Sequence, residues 1–225
     1  MPTLYIANKN YSSWSLVPWV LLRECAIPFE EKLMPFHGTA FNTFSPSGKV
    51  PCLVDGAATV WDSSAIAEYL AEAHPEVWPA GKTARAFARC VAAEMHSGFM
   101  ALRTQCGMNC GLRVQLHRVD AGLQRDLARL DALVADGLAR FGGPFLGGAA
   151  FSAADACYAP VAFRLQTYAP PVAPATDAYF QRVLALPSMQ DWYRAALAET
   201  WRDTGHDAEV AEWGAVTEDL RAVAR

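Results

Sequence analysis

Lys49-Val50-Pro51-Cys52-Leu53-Val54-Asp55-Gly56, followed shortly by Trp61-Asp62-Ser63-Ser64-Ala65-Ile66-Ala67-Glu68-Tyr69-Leu70, reads as a strand, a tight turn, a second strand and a helix. Asp55-Gly56 is a strong hairpin signal, and Ser63 stands where a helix N-cap belongs. Pro51 lies at the mouth of a strand, where the missing N–H is tolerated only at an edge or in a cis turn. The Asp62-Ser63-Ser64 cluster puts hydroxyls and free backbone N–H groups at a helix N-terminus, where the dipole favours a carboxylate. One stretch therefore offers two polar grips on a small anion.

Composition narrows the class of partner. The chain has 225 residues, 52% of them hydrophobic, enough for one large domain or two modest ones with packed cores. A net charge of −4, with only 19 Lys and Arg, argues against a nucleic-acid partner, since phosphate binding needs a basic face. Met1-Pro2-Thr3-Leu4-Tyr5-Ile6-Ala7 lacks the charged lead of a secretory signal, and no window has the ~18 consecutive apolar residues of a membrane helix. Six cysteines follow no disulfide framework, so reduced thiols in the cytoplasm are expected. Cys106 and Cys110 are one helical turn apart, but no histidine completes a metal set, so no metal is expected.

Upstream of the opening stretch, Thr3 to Ala7 reads as a strand and Asn8 to Ser15 as a loop. A buried helix from about Ser13 to Ala26 fits, with Pro18 acceptable only if it lies within about the first turn. Phe29 to Pro35 reads as a second strand, parallel to the first, and His37 to Ser47 as a long connection with one helical turn. Residues 1–75 thus form one domain, and the proline-bearing segment 76–81 is its linker.

Residues 82–225 read as helical. Ala84, Phe87, Val91, Met95, Phe99 and Leu102 keep one helical period; Leu116, Val119, Leu123, Leu127, Leu130, Val134, Leu138 and Phe141 keep another. Ser152-Ala153-Ala154-Asp155 is a capping box ahead of a nearly charge-free run to Phe163, the central helix, in which Pro160 suggests a kink. Two shorter helices, about Asp177 to Leu186 and Ser188 to Thr200, precede a polar tail from Trp201 onward.

Val50-Pro51, Asp62-Ser63 and Ser152 to Asp155, in this order and spacing over nearly the whole chain, resemble the glutathione transferase family. The resemblance implies an α+β thioredoxin-like N-terminal domain, β-α-β-α-β-β-α with a cis-proline, and a C-terminal all-helical bundle. It also implies glutathione as co-substrate, a small hydrophobic electrophile as second substrate, a homodimer and a role in detoxification. Tyr11-Ser12-Ser13-Trp14-Ser15 is similar to the serine-type classes, nearest the zeta class, although Trp14 stands where that class has cysteine and Val17 and Trp19 where it has basic residues.

The family's roles then fall on particular residues. Ser63, with the N–H groups of Ser63 and Ser64, would bind the γ-glutamyl carboxylate, and Asp62 the α-amino group. The Val50 backbone, exposed by Pro51, would pair with the cysteinyl backbone as an added strand. Lys49 and His37 would meet the glycyl carboxylate. Ser12, best aligned with the catalytic serine, would donate to the sulfur, with Ser13 and Tyr11 as alternatives. Each serine is equally a plain helix cap, and Lys49 a solvated lysine, if taken alone. Trp14 and Phe36 would wall the electrophile site, and His96 and Arg103 either line that cleft or face water; Phe99 and Asp155 read as structural. The rival functions are glutathione-dependent cis-trans isomerisation and a non-catalytic binding module. Thiol-disulfide exchange is disfavoured, because Cys25 lies at the wrong end of the first helix.

Overall fold

A computed structural model describes residues 1–36 and 40–222. His37 lies outside the described residues.

The N-terminal half is a mixed four-stranded sheet in the order β2-β1-β3-β4. β1 (Thr3–Ile6) alternates as a half-buried strand must, with Leu4 and Ile6 fully buried and Thr3 and Tyr5 partly exposed. It pairs parallel with β2 (Glu30–Leu33), Leu4 against Glu31, and antiparallel with β3 (Cys52–Asp55), Leu4 against Leu53. β3 returns as β4 (Ala58–Trp61), closing on the Asp55–Ala58 pair, so the turn itself is Gly56-Ala57 with Gly56 at φ +57°. Between β2 and β3 the helical turn is a 3₁₀ turn, Phe41–Thr43.

Helix α1 (Ser13–Glu24) buries every residue from Ser15 to Leu22. Pro18 is the sixth residue of this helix, past the expected first turn. Its missing N–H leaves the Trp14 carbonyl without an α-helical donor, and extensive packing holds the helix together there. Helix α2 (Ser63–Ala73) follows β4, and Tyr69 Oη donates to Asp55 Oδ2 at 3.0 Å, tying that helix to the hairpin.

The C-terminal half is helical, and α1 packs directly on its central helix. The single long helix expected through Leu102 is two, α3 (Lys82–Ser97) and α4 (Met100–Gln105), broken at Gly98-Phe99. Phe99 adopts a left-handed φ of 54° and still buries its ring edge-on to Tyr158. The apolar period therefore survives a break that it cannot report. The next helix, α5 (Ala121–Phe141), starts at its Asp120 cap rather than at Leu116. Leu112–Leu116 is instead strand β5.

Helix α6 (Ala153–Tyr168) is buried along almost its whole length, as its charge-free sequence requires, and runs through Pro160 as one helix. α7 (Pro174–Leu184) and α8 (Pro187–Ala198) follow. The polar tail is structured: α9 (Thr204–Trp213), then β6 (Gly214–Asp219) pairing antiparallel with β5. No described helix is long and apolar enough to cross a membrane.

Candidate active site

A cleft of about 410 Å³ opens between the sheet edge and α3, lined by Lys49, Val50, Asp62, Ser63, His96 and Arg103 among others. A neighbouring recess of about 280 Å³ shares Trp14, Lys49 and Val50 with it and continues to Ser12, Ser13 and His206. The Val50–Pro51 peptide is cis, and Pro51 stands at the entrance to β3. Residue 50 lies outside the sheet ladder, and its N–H and C=O bond no described residue. They form a short open backbone edge facing the cleft, which another extended chain can complete.

Across the cleft the helix cap differs from the expectation. Asp62, not Ser63, is the N-cap of α2; its Oδ1 accepts from Ser64 N–H at 2.9 Å, and it sits at φ 74°. That positive φ is costly for a residue with a Cβ, and a short carboxylate that bonds its own helix is what makes it tolerable. Both Asp62 oxygens also lie 3.1 Å from His96 Nε2, so the carboxylate is shared between a helix N-terminus and a neighbouring imidazole. Ser63 is then the first helical residue. It is nearly buried, yet its hydroxyl and N–H bond no described residue, which leaves two donors at the positive end of α2. Ser64 N–H, expected to serve the same anion, is taken by Asp62.

The loop before α1 is held by long-range contacts. Glu199 Oε1 accepts from Lys9 N–H at 2.7 Å and its Oε2 from Asn10 N–H at 3.3 Å, while Asn10 Nδ2 donates to Asn109 Oδ1 at 2.9 Å. Ser12 caps α1 by its backbone only. Its hydroxyl donates to Ser15 Oγ at 2.7 Å, and that same oxygen accepts from Ala7 N–H at 3.2 Å. Ser12 therefore reaches the recess with a hydroxyl whose proton is held by a second, fully buried serine. Ser13 is half-exposed on the recess wall.

Tyr11 is committed elsewhere. Its hydroxyl donates to Asp207 Oδ1 at 3.2 Å and accepts from Arg221 Nη1 at 2.9 Å, and burial raises its phenol above the ordinary value. Cys25 is far from this chemistry, and burial pushes its thiol up to about 11. A thiol so hard to ionise is a poor nucleophile.

The second wall is aromatic and cationic. The Arg103 guanidinium lies 4.8 Å from the Trp14 ring centroid and the His96 ring 5.2 Å from it. Arg103 Nη1 also donates to the His96 and Gly98 carbonyls, which steadies the end of α3. Lys49 is exposed and makes no ion pair with a described residue. Phe36 lines the recess with its ring against His206 at 5.4 Å.

The structure thus brings Ser12, Ser13, Lys49, Val50, Pro51, Asp62 and Ser63 to one continuous cleft, with His96, Arg103, Trp14 and Phe36 around it. It adds three residues the sequence reading passed over: His206 in the recess, and Asp207 and Arg221 behind Tyr11. The available signal was Asp203, three residues before His206, which caps α9 by accepting from His206 N–H.

Comparison with known proteins agrees with this arrangement. A family model described as the N-terminal domain of glutathione S-transferase matches residues 11–73, and one for its C-terminal domain matches residues 113–195. The glutathione S-transferase-like protein OpS6 of Beauveria bassiana is 24% identical over 184 residues, 77% of this chain and 84% of that protein. A glutathione transferase homologue from Burkholderia GL BGR1, solved with bound glutathione, is 27% identical with a TM-score of 0.65, over 87% of this chain and 97% of its own. A theta-class enzyme from Xanthomonas axonopodis pv. citri shares the fold at 21% identity and a TM-score of 0.62, over 88% of this chain and 98% of its own. With both domain families matched in order and the cleft built at their junction, the chain belongs to the glutathione S-transferase family.

Proposed function

We propose that the protein is a serine-type glutathione transferase, which binds glutathione in this cleft and presents its thiolate to a small electrophile. The observation that carries this is the pairing of an open Val50 backbone edge with the unpartnered Ser63 donors across one cleft of about 410 Å³. The tripeptide's middle fits the first and its γ-glutamyl carboxylate the second, with Asp62 beside its amino group and Lys49 toward the glycyl carboxylate. His37 belongs to the same reading by the family resemblance.

The sulfur then falls over Ser12. A free thiol with pKa near ~8.5 is mostly protonated at neutral pH, so a donor to sulfur is needed. Ser12 supplies it by turning its proton from Ser15 Oγ to the thiolate, while Ser15 donates to Ser12 in exchange. Ser13 remains the alternative donor. The reading extends, by family, to a homodimer in the cytoplasm acting in detoxification; six free thiols suit a reducing compartment.

A second reading has its own support. The Arg103 guanidinium puts positive charge on the wall of the cleft opposite the Val50 edge, which suits an electrophile bearing carboxylates and hence glutathione-dependent cis-trans isomerisation, as in the zeta class. Retention on immobilised glutathione, released by free glutathione, tests both enzyme readings against a non-catalytic module. Assays with aryl halides and with maleylacetone then separate conjugation from isomerisation.

A further inference from the structure

Serine can steady a thiolate, but a neutral hydroxyl cannot take the proton away. Among the described residues, the recess that receives Ser12 and Ser13 contains one group that can, the imidazole of His206, in the first turn of α9. Its Nδ1 lies 3.0 Å from Asp203 Oδ1, and the same oxygen accepts the His206 backbone N–H at 3.0 Å. A carboxylate oxygen this close to Nδ1 favours the tautomer with its proton on Nδ1 and the lone pair on Nε2. Nε2 bonds no described residue. The ring is held in place by Phe36, stacked at 5.4 Å and 25°, and by Tyr11 at 5.3 Å.

We propose that His206 is the proton acceptor in thiolate formation, oriented by Asp203; this rests on the glutathione transferase reading above. As glutathione seats on Val50, its S–H bond breaks, the electron pair stays on sulfur, and the proton forms the Nε2–H bond of an imidazolium. The ion pair that results is imidazolium and thiolate across the recess, with Ser12 donating to the sulfur. The charged groups around it are of both signs. Asp203 and Asp207 on α9 are acidic; Arg221, which follows β6, is neutralised by Asp207 and Asp219; Tyr11 is tied to Asp207; and Lys49 faces the recess from across it.

The test compares the full chain with His206→Gln and His206→Ala, after thermal melting shows that each folds. Calorimetry measures glutathione affinity, ultraviolet difference absorbance reads the bound thiolate, and steady-state rates are taken with an aryl halide and with maleylacetone. The expected result is affinity within a few-fold of the parent, turnover down about 10²-fold with little change in KM for glutathione, and a weaker thiolate signal. Added imidazole restores turnover to His206→Ala. Thiolate signal and turnover equal to the parent, or a loss confined to KM, or no restoration by imidazole, overturns the assignment. If the parent chain binds no glutathione, the underlying functional reading fails instead, and the two failures are told apart by that first titration.

Discussion

Asp155→Ala should unfold the protein more easily without touching the cleft, and the size of the effect follows from what the carboxylate holds. Asp155 is fully buried, and it accepts from Leu146 N–H (2.9 Å), Ser152 N–H (3.0 Å), Ser152 Oγ (3.0 Å) and Tyr179 Oη (2.9 Å). Alanine leaves two rigid backbone donors stranded at ~1–3 kcal/mol each, while the two hydroxyls can turn. Against this, burial opposes the charge and raises the carboxyl above its ordinary value, so removing it returns part of a desolvation cost. The balance is a loss of about 3 kcal/mol, read as a lower urea midpoint with an unchanged slope and as a Tm lower by about 6–12 °C for a chain of this size. Asp155→Asn keeps Oδ1 for Leu146 and Tyr179 and should lose about half as much. A variant with the parent's midpoint but no activity would refute this reasoning, because it would move Asp155 from the scaffold to the chemistry.

Gly137→Ala should also destabilise: a Cβ there would stand 2.9 Å from the Leu146 carbonyl oxygen and 3.1 Å from the Phe87 ring. The helix-propensity gain of ~1 kcal/mol is outweighed by overpacking of ~1–3 kcal/mol against a backbone that Asp155 tethers, and denaturant melts measure the net loss. Acid should destabilise through Glu94 and Asp120. The Arg129 hydrogen bonds hold Glu94 below its ordinary 4.5, and the Leu123 N–H holds Asp120 below its ordinary 3.8. The folded state then binds fewer protons than the unfolded one, so their contribution is complete above those ordinary values and is lost as pH falls through the lower folded values. Tm against pH for Glu94→Gln should show a shallower acid limb than the parent; superimposable limbs would contradict it. Burial raises Asp155 and Glu199, which act in the opposite sense and are unaffected by that variant.

The N-terminal sheet was legible because its information is local. Leu4 and Ile6 alternate, Gly56 marks the turn, and Val50-Pro51 and Asp62-Ser63 lie within one short stretch. The central helix was legible for a similar reason, since the Ser152–Asp155 box is spaced by one turn. What escaped is non-local. Leu112-Arg113-Val114-Gln115-Leu116 alternates apolar and polar, a strand signal by itself, but its partner strand begins at Gly214, and nothing local to either segment links the two. Gly98-Phe99 escaped because a left-handed residue can keep the apolar register while ending the helix. In the cleft, Ser12 and Ser63 were proposed from their own motifs, and both line it. His206 was missed because its place in the recess depends on α9 folding back over a loop some two hundred residues earlier in the chain.

The measurement that bears most directly on the central claim is thiolate absorbance while glutathione is titrated into the parent chain and into Ser12→Ala at neutral pH. A saturable thiolate signal is expected in the parent. Ser12→Ala should bind nearly as well but give a much smaller signal, since a donor worth ~2.7 kcal/mol corresponds to about two pKa units. No saturable signal in the parent at millimolar glutathione, or equal signals from the two proteins, would contradict it.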